Sequence, residues 1–217
     1  MIKPLPRRPL HFIFVISCSA SMAVEGKIQA LNNAIRELIP GIRKAARENP
    51  GVEFKVRAIK FSSRAEWHIP GELPIEDFEW KDLTVGSEAS NLGPALELLV
   101  DALDIKKIGT RAKPPVLVLI SDGQCTDDWQ SSLDKLNRLP WGRKAVRVAV
   151  AIGQDANRDV LQQFLNNPEF KVLEASNAPS LVDYIKWVGP PFVQKASEEE
   201  TPETLAQITV SDTSDVW

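Results

Sequence analysis

The chain has 217 residues, of which 43% are hydrophobic and 25% are charged, and its formal net charge is −3 at pH 7. Such a composition is typical of a soluble globular protein, and a net acidic chain has no electrostatic footprint for nucleic acid. The sequence has neither an apolar run near the ~18–20 residues that span a bilayer nor the pattern of a signal peptide. We therefore expect a cytoplasmic protein that binds neither nucleic acid nor membrane.

The first strong signal is a short apolar and β-branched run that ends in three serines. The run FIFVI ends at Ile16, and the serines follow at alternate positions, at Ser17, Ser19 and Ser21. A short apolar run bounded by small polar residues predicts a strand buried on both faces, which we place at 10–16. The serine loop then lies at the carboxyl end of a strand, where open α/β sheets bind their ligands.

A long helix and a hairpin are predicted next. Apolar residues recur at helical spacing over 27–49, and Pro40 within this range predicts a kink or a break because proline in a helix interior costs roughly 3 kcal/mol. Residues 52–61 alternate and predict a half-exposed strand, joined as a hairpin to a weaker strand at 65–69. Residues 70–87 have no useful period and predict a surface excursion. Its expected anchors are Ile75, Phe78 and Trp80.

The second half alternates helices with strands. Helical spacing covers 91–108, and PVLVLI at 115–120 has no polar break, which predicts a central strand. The remaining expected elements are a helix at 127–139, a strand at 144–152, a short helix at 159–164, a short strand at 171–173 and a last helix at 178–187. This order predicts crossovers and a doubly wound α/β fold. We expect a mostly parallel six-stranded sheet with one antiparallel edge strand and helices on both faces.

Three segments are expected along the chain. Residues 1–9 form an extended N-terminal segment, 10–188 the domain, and 189–217 an acidic tail rich in Ser, Thr and Pro. Such a tail is expected to stay solvated when alone. Its β-prone run at 205–210 leaves open the alternative that it adds a strand to a sheet edge.

Polar side chains from three loops are expected to meet at the carboxyl edge of the sheet. The first loop carries the three serines, the second carries Ser90, and the third carries Asp122 after the PVLVLI strand. Hydroxyl and carboxylate oxygens in one crevice are typical of a site for a hard divalent cation such as Mg²⁺.

With these motifs, the chain resembles the von Willebrand factor A (vWA) domain over residues 10 to about 188, and within it the bacterial tellurite-resistance TerY-like group. FVISCSASM is similar to the family's D-x-S-x-S-M, SNLGPALELL to its T-x-L-G-x-A-L, and LISDGQCTDDW to its L-x-T-D-G-x-P-T-D-D-W. The closing DYIKWV also resembles that group. The resemblance implies a Rossmann-like vWA fold and a metal-ion-dependent adhesion site (MIDAS).

The resemblance assigns metal ligands residue by residue. Ser19 and Ser21 match the two serines of the site, Ser90 the threonine and Asp122 the second aspartate, while Ser17 stands where the family has its first aspartate. That aspartate acts largely through metal-bound water, so the direct hydroxyl ligands are kept. Its loss removes half of the fixed negative charge, and we expect Mg²⁺ or Mn²⁺ to bind weakly or not at all.

Purely structural interpretations stay open beside this one. Serines at a strand end can cap backbone groups, and we favour that role for Ser17. Asp127 and Asp128 are expected to start the next helix, whose dipole favours anions, with the alternative that they supply the missing charge. For three tryptophans, core burial is favoured over a role as partner anchors. These are Trp80, Trp129 and Trp141.

Other chemistry has little support in the sequence. A disulfide between Cys18 and Cys125 is disfavoured in a reducing cytoplasm, and neither His11 nor His68 has an evident partner for nucleophilic catalysis. The phosphate-binding glycine motifs are absent, so no nucleotide site is expected.

The resemblance implies a non-enzymatic protein-interaction module. In the family, a carboxylate of the partner completes the coordination of the metal, and TerY-like proteins are expected beside a protein kinase and a metal-dependent phosphatase in bacterial stress and signalling systems. Two alternatives remain. One is a metal-independent scaffold, and the other is a hydrolase that pairs a loop serine with Asp122 but lacks a general base.

Overall fold

A computed structural model describes residues 7–69, 71–152 and 156–175. The expected last helix at 178–187, the tail and most of the N-terminal segment lie outside these residues. None of the helices in the described part of the chain is both long and apolar enough to traverse a bilayer.

The described strands form one twisted sheet with the expected topology. They are β1 (Arg8–Ser17), β2 (Val52–Phe61), β3 (Ala65–Trp67), β4 (Leu73–Pro74), β5 (Val116–Ser121), β6 (Val146–Ile152) and β7 (Leu173–Ala175). Their order is β3-β2-β1-β5-β6-β7, with β4 also paired to β2. All pairings are parallel except those of β3 and β4, which lie along the free edge of β2. The sheet therefore has six strand positions with an antiparallel edge, which confirms the predicted fold class.

Helices cover both faces of the sheet because its central strands are apolar on both sides. The helices are α1 (Lys27–Glu48), α2 (Leu92–Ala102), α3 (Ile105–Ile108), α4 (Gln130–Arg138), α5 (Pro140–Lys144) and α6 (Arg158–Leu165), and a 3₁₀ segment spans Ala20–Gly26. On one face, Phe12 and Phe14 of β1 share a buried cluster with Leu31 of α1. On the other, Ile13 of β1 shares a cluster with Leu96 of α2.

Several element boundaries depart from the sequence pattern. Of the kink or break expected at Pro40, the break is wrong, because α1 runs through Pro40, which is exposed. The single helical pattern over 91–108 is divided in two, because Asp104 accepts a hydrogen bond from the Lys106 amide and starts α3. The strand predicted at 171–173 lies at Leu173–Ala175 instead.

The surface excursion after β3 is anchored as predicted. Ile75 and Phe78 are fully buried, and the Trp80 indole donates to Asn32 Oδ1 at 3.0 Å. Asn32 also exchanges two hydrogen bonds with the backbone of Leu83. Asn32 is a buried polar residue of α1 that the sequence pattern did not single out.

The connections that follow the two central strands, β1 and β5, run in opposite directions from the carboxyl edge of the sheet. The chain leaves β1 towards β2 on one side, and it leaves β5 towards β6 on the other. This is a topological switch point, where α/β sheets open a crevice for ligands. The loops after β1 and β5 carry Ser19 and Asp122.

Candidate functional site

Backbone hydrogen bonds hold the loop after β1 in place. The Cys18 amide donates to Phe61 O at 2.7 Å, the Gly86 amide donates to Cys18 O at 2.7 Å, and the Ala20 amide donates to Ser87 O at 3.1 Å. Ser17 and Ser19 are buried in consequence, with 0% and 3% of their surface exposed.

Four serine hydroxyls and one carboxylate form a continuous chain, which we call the hydroxyl chain. Ser90 Oγ lies 3.5 Å from Ser17 Oγ, which lies 3.0 Å from Ser19 Oγ. Ser19 Oγ lies 2.9 Å from Ser21 Oγ, and Ser21 donates to Asp122 Oδ2 at 2.6 Å. The structure thus brings together all five residues selected from the sequence.

The direction of each hydrogen bond in this chain follows from proton counting. Each hydroxyl has one proton to donate, and Ser21 uses its proton on Asp122. Ser19 must therefore donate to Ser21, and Ser17 to Ser19. Because the Ser17 proton is used in this way, the Ser17 oxygen accepts the hydrogen bond from the Ser90 hydroxyl. The hydroxyl chain is ordered from Ser90 to Asp122.

The loop after β5 holds Asp122 from its own backbone. Asp122 is 7% exposed, its Oδ1 accepts from the Gln124 amide at 3.1 Å, and its carbonyl accepts from the Asn157 amide at 2.8 Å. Gly123 has a φ of 69°, and a Cβ there would lie 2.3 Å from Asn157 O. Only glycine fits this turn. The turn orients the Asp122 side chain.

Asp127 does not start α4, contrary to the sequence prediction. Its two carboxylate oxygens accept from the amides of Leu92 and Gly93 at 2.9 and 2.7 Å, so it caps α2. The helix α4 begins only at Gln130. Since both oxygens of Asp127 are engaged by α2, the carboxylate of the hydroxyl chain remains that of Asp122.

The donor set of the hydroxyl chain fits a hard cation in type and spacing. Neighbouring ligand oxygens of an octahedral Mg²⁺ with bonds of about 2.1 Å lie ~3.0 Å apart. The oxygens of Ser19, Ser21 and Asp122 follow one another at 2.9 and 2.6 Å. The described part of the chain contains no group of three or more His, Cys, Asp or Glu side chains placed to hold a metal. The site therefore offers suitable oxygens with the charge of a single carboxylate.

Two cysteines lie at the same edge as free thiols. Burial raises the pKa of Cys18 to about 11, and burial together with the carboxylates of Asp127 and Asp122 raises the pKa of Cys125 to about 12. Both thiols are therefore protonated at neutral pH and are poor nucleophiles.

Two of the three tryptophans considered as partner anchors are core residues. Trp129 and Trp141 are 5% and 6% exposed, and the Trp141 indole donates to Gly109 O at 3.0 Å. Trp80, within the excursion, is partly buried against the core cluster. Core burial, the favoured interpretation for these residues, is confirmed.

Solved structures of vWA domains share this fold, whereas no family model and no curated protein matches the chain. The ArnB paralog VWA2 from Sulfolobus acidocaldarius aligns with a TM-score of 0.60 and 18% identity, covering 83% of this chain and 45% of that one. The von Willebrand factor type A protein from Catenulispora acidiphila aligns with a TM-score of 0.65 and 13% identity, covering 89% and 44%.

A third structure carries a metal. It is proximal thread matrix protein 1 from the mussel byssus with a zinc-occupied MIDAS motif, with a TM-score of 0.57, 15% identity and coverage of 88% of this chain and 46% of that one. This chain spans less than half the length of each of the three proteins. At these identities the likeness establishes the vWA fold.

Proposed function

We propose that this chain, which has the vWA fold, is a non-enzymatic protein-interaction module with a degenerate MIDAS as its binding surface. The observation that supports this is the hydroxyl chain, in which the five matched residues from three loops lie within hydrogen-bond distance of one another. They lie at the switch point of the sheet, where ligands bind in folds of this class.

The site would hold Mg²⁺ or Mn²⁺ through Ser19, Ser21, Ser90 and Asp122, with weak affinity. When bound, the cation would supply an open coordination position for a carboxylate of the partner. The hydroxyls of Ser19 and Ser21 each keep a lone pair that is unused in the hydroxyl chain, so they remain able to ligate. Ser17 in place of an aspartate lowers the affinity because the site has one fixed negative charge instead of two.

The partner is proposed from the resemblance to the TerY-like group. The LISDGQCTDDW and FVISCSASM motifs support a role in a bacterial stress or signalling system that includes tellurite resistance, with a protein kinase and a phosphatase, in the cytoplasm. Fold alone does not fix such a role.

A metal-independent scaffold is the second candidate, and the proton order of the hydroxyl chain favours it. The hydroxyls of Ser17, Ser19 and Ser21 are each satisfied as donor and acceptor without a cation. A serine-dependent hydrolase has less support, because in the described ranges Asp122 is the only carboxylate bonded to the hydroxyl chain, and no histidine is bonded to it.

Calorimetric titration with Mg²⁺ and Mn²⁺ tests the proposal. The parent should bind at least one of these cations, and Asp122→Ala should abolish binding because it removes the charged ligand. Asp128→Ala is the matched control, because Asp128 is exposed on the same loop, and it should bind as the parent does.

Partner capture from the native host separates the two candidates. Capture that is lost with a chelator and with Asp122→Ala supports a metal-dependent module. Capture that persists with the chelator supports the scaffold. Equal loss of binding in Asp128→Ala would contradict the assignment of Asp122.

A further inference from the structure

Five hydrogen bonds join the loop after β5 to the start of α2, and we call them the Thr126–Asp127 clamp. Thr126 donates its amide to Ser90 O at 3.1 Å, accepts from the Ser90 amide at 3.2 Å and donates its hydroxyl to Asn91 Oδ1 at 2.7 Å. Asp127 accepts from the first two amides of α2 at 2.9 and 2.7 Å. Both backbone polar groups of Ser90 are thus held by Thr126.

The clamp replaces a cap that α2 lacks locally. Asn91 occupies the N-cap position, but its side chain makes no capping hydrogen bond. The Asp127 carboxylate takes over this role and places a negative charge at the positive end of the helix dipole. A Cβ on Gly93 would lie 2.6 Å from Asp127 Oδ2, so the close approach of the carboxylate also requires glycine at that position.

The clamp closes the hydroxyl chain into a ring. One end of the chain is Asp122, and the other is Ser90, which is bonded to Thr126 four residues further along the same loop. The contact between Ser90 Oγ and Ser17 Oγ is the longest in the chain, at 3.5 Å. It therefore depends most on how the Ser90 backbone is held.

We infer that Thr126 and Asp127 are positioning residues that fix the Ser90 hydroxyl relative to Asp122. The inference rests on the proposed function in that Ser90 belongs to the site. Other contacts keep the loop folded when the clamp is weakened, because the Asn91 amide donates to Ser62 O at 2.8 Å and Asn91 Nδ2 donates to Ser63 O at 3.1 Å.

Backbone amide hydrogen exchange on the full chain tests the clamp itself. Thr126→Val should speed exchange at Ser90 by ~10-fold, the scale of one lost hydrogen bond, and Thr126→Ser should restore the parent rate. Asp127→Asn should speed exchange at Leu92 and Gly93, while the matched control Asp128→Asn should not. Unchanged exchange at these amides, or equal acceleration at Val118 in the centre of β5, would overturn the inference.

The positioning role is tested by measuring the Mn²⁺ affinity of variants that remain folded. Partners that orient a metal ligand typically contribute ~10-fold or more to affinity, so Asp127→Asn and Thr126→Val should each weaken Mn²⁺ binding by that factor at a temperature at which both variants are fully folded. Affinity that stays at the parent value would show that the clamp does not position the site. If the parent binds no Mn²⁺, the metal part of the proposed function fails, and the exchange pattern still decides the clamp.

Discussion

Ser17 is the residue on which the charge of the candidate site depends. Its hydroxyl donates to Ser19 in the proton order derived above, whereas a carboxylate at this position could only accept. Ser17→Asp would therefore reverse this hydrogen bond, so that Ser19 donates inward, and would add the second negative charge of the family pattern.

We expect Ser17→Asp to tighten Mg²⁺ or Mn²⁺ binding by about 1–3 kcal/mol, the scale of one partly shielded charge contact. Calorimetric titration of the variant and the parent measures the difference. Ser17→Asn is the control of similar size without the charge, and it should give no such gain. Equal affinities for Ser17→Asp and the parent would mean that the site is not retained in working form.

For individual residues, the sequence predicts the candidate oxygen ligands of the site but not the residues that hold the surrounding loops in place. Ser19, Ser21 and Asp122 could be found because they follow apolar strands whose ends meet at one edge. Asn32 and Thr126 could not, because their partners are backbone groups of segments far away in the chain. Pairs of this kind produce no recognisable spacing pattern in the sequence.

The helix α1 shows how burial of an apolar face outweighs a local penalty. Ile28, Leu31 and Ile35 of this helix are almost fully buried, and Ile42, beyond Pro40, is 1% exposed. A break at Pro40 would take Ile42 away from the core, and burial of one such side chain contributes roughly 1.5–3 kcal/mol. The pattern predicted the helix correctly, and the break was wrong because the penalty was judged without the tertiary contacts.

Pro40→Ala should raise the free energy of unfolding by about 2 kcal/mol. Alanine restores the hydrogen bond that proline cannot donate, and part of the gain is offset by the greater freedom of the unfolded chain. Urea denaturation measures the change, with Gln29→Ala, an exposed position in the same helix, as the control. A loss of stability would show that α1 is shaped around the proline.

For the molecule as a whole, one pH-dependent contribution to stability lies away from the candidate site, at His11 of β1. His11 is 2% exposed, and its Nδ1 lies 3.9 Å from Glu72 Oε1. Lys55 and Arg57 also contact Glu72, at 3.1 and 3.5 Å. Burial lowers the pKa of His11 to about 4, with Lys55 and Arg57 acting in the same direction and Glu72 opposing them.

Because the pKa of His11 is lower in the folded state than its ordinary value of 6.5, the unfolded chain binds more protons between about pH 6.5 and pH 4. The contribution of His11 to stability is therefore complete above this range and falls as the pH decreases through it. From pH 7.5 to pH 5 the expected loss from His11 is ~2 kcal/mol.

Urea denaturation at these two pH values measures the loss, and His11→Gln should reduce it. Measurement at pH 5 avoids the pH range in which Glu72 titrates. Burial acts to raise the pKa of that carboxyl, but the Lys55 hydrogen bond and its charged neighbours hold it below 4.5. The same loss in His11→Gln as in the parent would assign the pH dependence to another group.

The cap that Asp127 provides to α2 also bears on the order of folding. Asp127 lies 35 residues beyond Leu92, so α2 has no cap until β5 has paired and its loop has turned back. A contact that closes so long a loop is expected to form after the folding barrier rather than before it. Asp127→Asn should therefore speed unfolding and leave the refolding rate nearly unchanged. In stopped-flow kinetics the start of α2 would then be among the last parts to consolidate and the first to be released.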